Sequence, residues 1–263
     1  MLRGAIVDLD GTVYTGETLV DGADDGVDDL RAAGVTPLFF SNNPTRTGDA
    51  FVERLVEMGV DARPGDACSA ADVTAAYLRE EHAGASVYLV GSDSLADVLR
   101  DEGVTLTGDP AGADVVLASW TEAFAYEHLQ DALDGLDEET AFLATDPDRT
   151  YPVDSGQFVP GTGAISGAMA AAAGREPDRV LGKPSPTALD YALERIGAPA
   201  EACLVVGDRL NTELAMGDRA GMTTALVLTG VCDRSDVETA AVEPDYVLDS
   251  LAAIRTVLDD LPD

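Results

Sequence analysis

Apolar and polar positions along this chain fall into alternating blocks. Short apolar runs occur at 4–9, 36–40, 87–90, 114–118, 141–144, 180–181, 203–206, 223–228 and 246–248. They are nearly continuous, which predicts strands buried on both faces. Between them the apolar side chains recur at helical spacing, as in Ala23, Val27 and Leu30, or Phe51, Val52, Leu55 and Val56. Helices are predicted over 23–33, 51–58, 70–81, 95–99, 126–133, 164–173, 187–196, 212–220 and 251–258. The Gly- and Pro-containing stretch 150–163 reads as a loop. Strands alternating with helices predict an α/β protein with a mostly parallel, doubly wound sheet and helices on both faces. Turns at Gly84 and Gly174 suggest a division of the chain near 82 and 178.

Charge narrows the choice of partners. The 263 residues carry 49 acids against 16 Lys and Arg, for a net charge of −33. Clustered basic side chains are missing, so neither nucleic acid nor an anionic membrane surface is an expected partner. The acids are dispersed and read as a solvated surface of the kind found where salt accumulates. Self-repulsion is then screened within about 3 Å at 1 M salt. Cys68, Cys203 and Cys232 are far apart and form no CxxC, which suggests reduced thiols in a cytoplasm. Cys203 reads as core packing. The first strand begins almost at Met1, leaving no room for a signal peptide. No apolar stretch reaches the roughly 18 residues of a membrane helix.

Only one lysine occurs, Lys183, within Gly182-Lys183-Pro184. It follows the run 180–181, and three other chemically apt groups also follow apolar runs. Asp8 and Asp10 close the first, in Asp8-Leu9-Asp10-Gly11-Thr12. Ser41 and Asn42 follow the second, and Asp208 follows 203–206. Ligands of open parallel sheets bind beyond the carboxyl ends of strands. Taken singly each group has a plain reading: a turn or cap for Asp8-x-Asp10, turn chemistry for Ser41-Asn42-Asn43-Pro44, a solvated lysine, a helix cap at Asp208. Their joint occurrence at strand ends points to phosphoryl chemistry. Asp8 would be the nucleophile, splitting a very slow hydrolysis into two steps through an aspartyl-phosphate. Asp10 would be the general acid and base. Asp8 and Asp208 would hold Mg²⁺, while Ser41, Asn42 and Lys183 would bind phosphate. Glu213 is either a solvated helical residue or close enough to assist the metal's ligands. His82 and His128 read as surface histidines. Gly161-Thr162-Gly163-Ala164-Ile165-Ser166-Gly167 reads as a tight loop and helix start, not a nucleotide site.

These motifs resemble the haloacid dehalogenase superfamily of phosphatases. Asp8-Leu9-Asp10-Gly11-Thr12, Ser41, Lys183 and the segment from Asp208 to Glu213 look like its four motifs. Ser41-Asn42-Asn43, Gly182-Lys183-Pro184-Ser185-Pro186, Ala144-Thr145-Asp146-Pro147-Asp148, Pro160-Gly161-Thr162-Gly163-Ala164 and Ala220-Gly221-Met222 look like its NagD-like, p-nitrophenylphosphatase branch. The resemblance implies a Rossmann-like core over 1–81 and 179–263, interrupted by an α/β cap over 82–178 that carries specificity. It also implies Mg²⁺ held by Asp8, the Asp10 carbonyl and Asp208, a small phosphate ester as substrate, and a homodimer through the cap. Two positions depart from the pattern: Glu213, where Asp is more usual, and the segment around Trp120, which lacks an expected Gly-x-Asp. Trp120 then marks either a different substrate wall or packing. Two alternative functions are a phosphotransferase or mutase of the same superfamily, and a receiver-like phosphoacceptor module.

Overall fold

The computed structural model describes residues 1–152 and 157–261. It divides into two compact units: residues 1–41, 48–68 and 188–263, and residues 42–47 and 69–187.

The first unit is built on a six-stranded sheet. Its order is Tyr246–Leu248, Thr223–Val227, Cys203–Gly207, Gly4–Asp8, Thr36–Ser41, Ala67–Ser69. Neighbours from the first through the fifth run parallel. Gly4–Asp8 and Cys203–Gly207 are buried along their whole length, and between their ends Ala5, Ile6, Val7, Leu204, Val205 and Val206 are apolar on both faces. From Gly4–Asp8 the chain builds outward through Thr36–Ser41, and later returns to the opposite side at Cys203–Gly207. The reversal of strand order therefore falls between Gly4–Asp8 and Cys203–Gly207. One side of the core gathers Val7, Leu9, Val27, Leu30, Phe39, Phe51 and Leu55, all nearly inaccessible to solvent.

The second unit carries a five-stranded sheet in the order Arg179–Val180, Ala141–Ala144, Val115–Ala118, Ser86–Val90, Thr105–Thr107. All its pairings are parallel. Helix Ala70–Glu81 also belongs here; it opens with a capping box between Ser69 and Asp72 and packs on helix Asp93–Asp101. The strand Arg179–Val180 pairs with Leu143 and Ala144. Segments 69–81 and 179–187, placed outside the cap by the turns at Gly84 and Gly174, thus pack with the second unit. The pairing of a two-residue strand is a long-range choice that turn residues do not signal.

Several elements differ from the sequence reading. The loop expected at 150–163 contains an antiparallel hairpin, Thr150–Pro152 with Phe158–Pro160, and its middle lies outside the described residues. The helix expected at 212–220 begins as a π-helical turn, Leu210–Leu214, before Ala215–Ala220. The last helix splits into Leu251–Ala253 and Arg255–Asp260. A short helix, Arg234–Thr239, was not anticipated, although Asp233 and Asp236 form a capping box readable in the sequence. Among the described residues no helix is long and apolar enough to cross a membrane.

Candidate active site

Three of the expected site residues stand at adjacent strand ends in the first unit. Asp8 is the last residue of Gly4–Asp8, paired in register with Phe40, and Ser41 ends the neighbouring strand. On the other side Val7 pairs with Val206, so Asp208 emerges one residue beyond Gly207 beside Asp8's strand end. Asp8, Ser41 and Asp208 are all buried, at 7%, 4% and 1% exposure. They flank the point where strand order reverses, the usual ligand position in an open α/β sheet.

The turn after Asp8 is tightly closed. The N–H groups of Thr12, Val13 and Tyr14 all donate to the Leu9 carbonyl, and Gly11 N–H donates to Tyr14 O at 2.8 Å. Gly11 has φ +86°, and a Cβ there would lie 2.5 Å from Asp208 Oδ2. Glycine is needed twice over, for the backbone angle and for the approach of the two loops. Asp10 is exposed, and the buried Tyr14 hydroxyl donates to its Oδ2 at 3.4 Å. Burial, followed by the charge of Asp10, holds the Tyr14 phenol far above its ordinary pKa, so it remains a donor. The Arg54 guanidinium covers the other face of the phenol, 4.3 Å from the ring centroid.

Asp208 is braced by a loop the sequence reading did not single out. Val231 N–H donates to Asp208 Oδ2 at 2.7 Å, and Cys232 N–H to its carbonyl at 3.2 Å. Thr229 Oγ1 donates to the Gly11 carbonyl at 2.5 Å. The signal was available: Thr229-Gly230 follows an apolar strand, as the other site segments do. Glu213 is 3% exposed and accepts from Thr212 Oγ1 at 2.6 Å. This removes the solvated reading of Glu213, because the π-helical turn rotates it inward.

Lys183 and Asn42 lie in the second unit. Lys183 is fully buried. Its loop continues the strand pairing, Leu181 N–H donating to Ala144 O at 2.9 Å and Gly182 N–H to Thr145 O at 2.7 Å. Asn42 bonds the Lys183 backbone at two points: its Oδ1 accepts from Lys183 N–H at 2.8 Å and its Nδ2 donates to Lys183 O at 2.9 Å. Beside them Asp146, 3% exposed, accepts from Thr145 Oγ1 and from Asp148 N–H, both at 3.1 Å. Burial, then the nearby Asp148 carboxylate, pushes its pKa up to about 7.

Known proteins share this arrangement over nearly its whole length. A haloacid dehalogenase-like hydrolase model matches residues 5–105, and a HAD-hydrolase-like model matches 180–254. The acid sugar phosphatase of Staphylococcus aureus strain MRSA252 is 36% identical over 244 residues, 93% of each chain. The chain belongs to the haloacid dehalogenase-like hydrolases, among the NagD-like phosphatases. The p-nitrophenyl phosphatase of Archaeoglobus fulgidus is 33% identical with a TM-score of 0.90, covering 99% of both chains. NagD of E. coli K-12 is 29% identical with a TM-score of 0.86, covering 95% of this chain and 97% of its own.

The donor set of this NagD-like chain suits a hard divalent cation. Asp8 and Asp208 are buried carboxylates at neighbouring strand ends, and carboxylates so enclosed call for compensating positive charge. Among the described residues no group of three or more His, Cys, Asp and Glu side chains forms a metal cage. Mg²⁺ needs no such cage, being held by one or two carboxylates with phosphate oxygen and water. Trp120 meets Tyr151 edge-on, with ring centroids 6.0 Å apart. His82 and His128 are half-buried, His128 stacking on Phe124 and accepting from Ala125 N–H at 2.9 Å.

Proposed function

We propose that this NagD-like chain hydrolyses a small phosphate monoester through an aspartyl-phosphate on Asp8. The observation that carries the reading is the meeting of Asp8, Ser41 and Asp208 at three adjacent carboxyl ends, beside the reversal of strand order. An Asp8 carboxylate oxygen attacks phosphorus, and the bond from phosphorus to the alcohol oxygen breaks. Asp10 gives its proton to the departing oxygen, then takes one from the water that attacks the phosphoaspartate. Inorganic phosphate leaves and Asp8 returns as carboxylate. The Ser41 hydroxyl donates to a phosphate oxygen, and the Lys183 ammonium offsets its negative charge. Asp8, the Asp10 carbonyl and Asp208 would hold Mg²⁺, which when bound offsets charge between the nucleophile and its anionic target.

In this reading residues 82–178 form the cap that selects the substrate, and two copies associate through it. A sugar phosphate is the favoured substrate class, following the acid sugar phosphatase of S. aureus. The test is a screen of phosphate esters in molar KCl, with Mg²⁺ and with EDTA. Release of inorganic phosphate from a sugar phosphate, lost with EDTA and restored by Mg²⁺, is the expected result. A stable phosphoaspartate without turnover would instead favour a phosphoacceptor module, and transfer to an added alcohol a phosphotransferase.

A further inference from the structure

We propose that the side chain of Asn42 is a positioning group that fixes the Lys183 backbone, and is not itself a phosphate ligand. The proposal rests on the reading in which Lys183 meets the phosphoryl group.

An asparagine side chain has two N–H donors and one carbonyl acceptor. In Asn42 both hydrogens have acceptors, Lys183 O at 2.9 Å and Asp148 Oδ2 at 3.2 Å. Its oxygen faces the Lys183 N–H at 2.8 Å. No side-chain donor hydrogen is left for a phosphate oxygen, and the carbonyl oxygen would repel one. The amide instead does for Lys183 what a neighbouring strand would do, taking both its N–H and its C=O across 141 positions of sequence.

The rest of the loop is held from other directions. Ala144 and Thr145 carbonyls take the N–H groups of Leu181 and Gly182, and the Ser185 hydroxyl donates to Leu181 O at 2.7 Å. At Gly182 a Cβ would stand 2.8 Å from both Asn42 Oδ1 and Thr145 O. The glycine thus lets the amide reach Lys183. A lysine ammonium sits on a long flexible stem. Fixing the backbone from which the stem starts narrows where the ammonium can be, and a misplacement of about 1 Å can cost on the order of 10²-fold in rate.

A double-mutant cycle distinguishes positioning from direct binding. Hydrolysis of p-nitrophenyl phosphate is measured for wild type, Asn42→Ala, Lys183→Ala and the double variant, with melting temperature as the check on folding. Asn42→Ala is expected to lower kcat on the order of 10²-fold, with no further loss once Lys183 is already alanine. Equal losses from Asn42→Ala in both backgrounds would overturn the proposal, since Asn42 would then act without the lysine. Full activity of Lys183→Ala would instead remove the assigned phosphate role of Lys183. Should Asn42→Ala fail to fold, Asn42→Asp keeps the acceptor for Lys183 N–H and loses both donors, and enters the same cycle. Amide hydrogen exchange reads the contact without catalysis. Faster exchange at Lys183 in Asn42→Ala is expected, and unchanged protection there refutes the clasp.

Discussion

Replacing Asp146 with asparagine should make the protein more stable at alkaline pH while changing little at acid pH. In the folded chain this carboxyl holds its proton up to about pH 7, against 3.8 for the ordinary group, because it is buried and faces Asp148. Between those values the folded state binds more protons than the unfolded state, so stability falls as pH rises. The contribution is complete below about pH 3.8 and is lost as pH passes about 7. Each pKa unit corresponds to about 1.4 kcal/mol, giving a ceiling of about 4 kcal/mol, of which about 3 falls between pH 5 and pH 8. Asparagine fits the same contacts: its oxygen can accept from Asp148 N–H, and its NH₂ can donate to Thr145 Oγ1. That hydroxyl would turn toward Ser119 Oγ, 3.0 Å away. Urea unfolding at pH 5, 6, 7 and 8 in molar KCl measures the difference. Trp120, the only tryptophan, lies in the same unit and reports its unfolding by fluorescence. The advantage of Asp146→Asn should widen from pH 5 to 7 and level off toward pH 8. Parallel stability curves for the two proteins would refute the reasoning.

Asp8→Asn should abolish turnover by several orders of magnitude while leaving the melting temperature nearly unchanged, as steady-state kinetics and calorimetry would record; full activity would remove the nucleophile assignment. Gly182→Ala should destabilise by about 1–3 kcal/mol, because its Cβ meets the Thr145 carbonyl, which has little freedom to move; an unchanged urea midpoint would refute this. Melting temperature should rise between 10 mM and molar KCl, as the screening length falls from about 30 Å to about 3 Å around a chain of net charge −33. A flat dependence would show that self-repulsion is not a principal cost.

The apolar runs were enough to identify Gly4–Asp8, Thr36–Ser41 and Cys203–Gly207 as strands, and Asp8, Ser41 and Asp208 at or just beyond their ends as candidates for chemistry. These features are local: a residue next to a buried parallel strand must emerge at its end, wherever the strand sits. The tertiary structure decided what depends on distant partners. It put Arg179–Val180 beside Ala141–Ala144, and turned Glu213 inward through a π-helical turn. It set the loop after Thr223–Val227 against Asp208, and joined Asn42 to the backbone of Lys183. Apart from the turn at Glu213, each of these is a hydrogen bond or strand pairing between segments far apart in sequence, and one chain's periodicity carries only the spacing of neighbours.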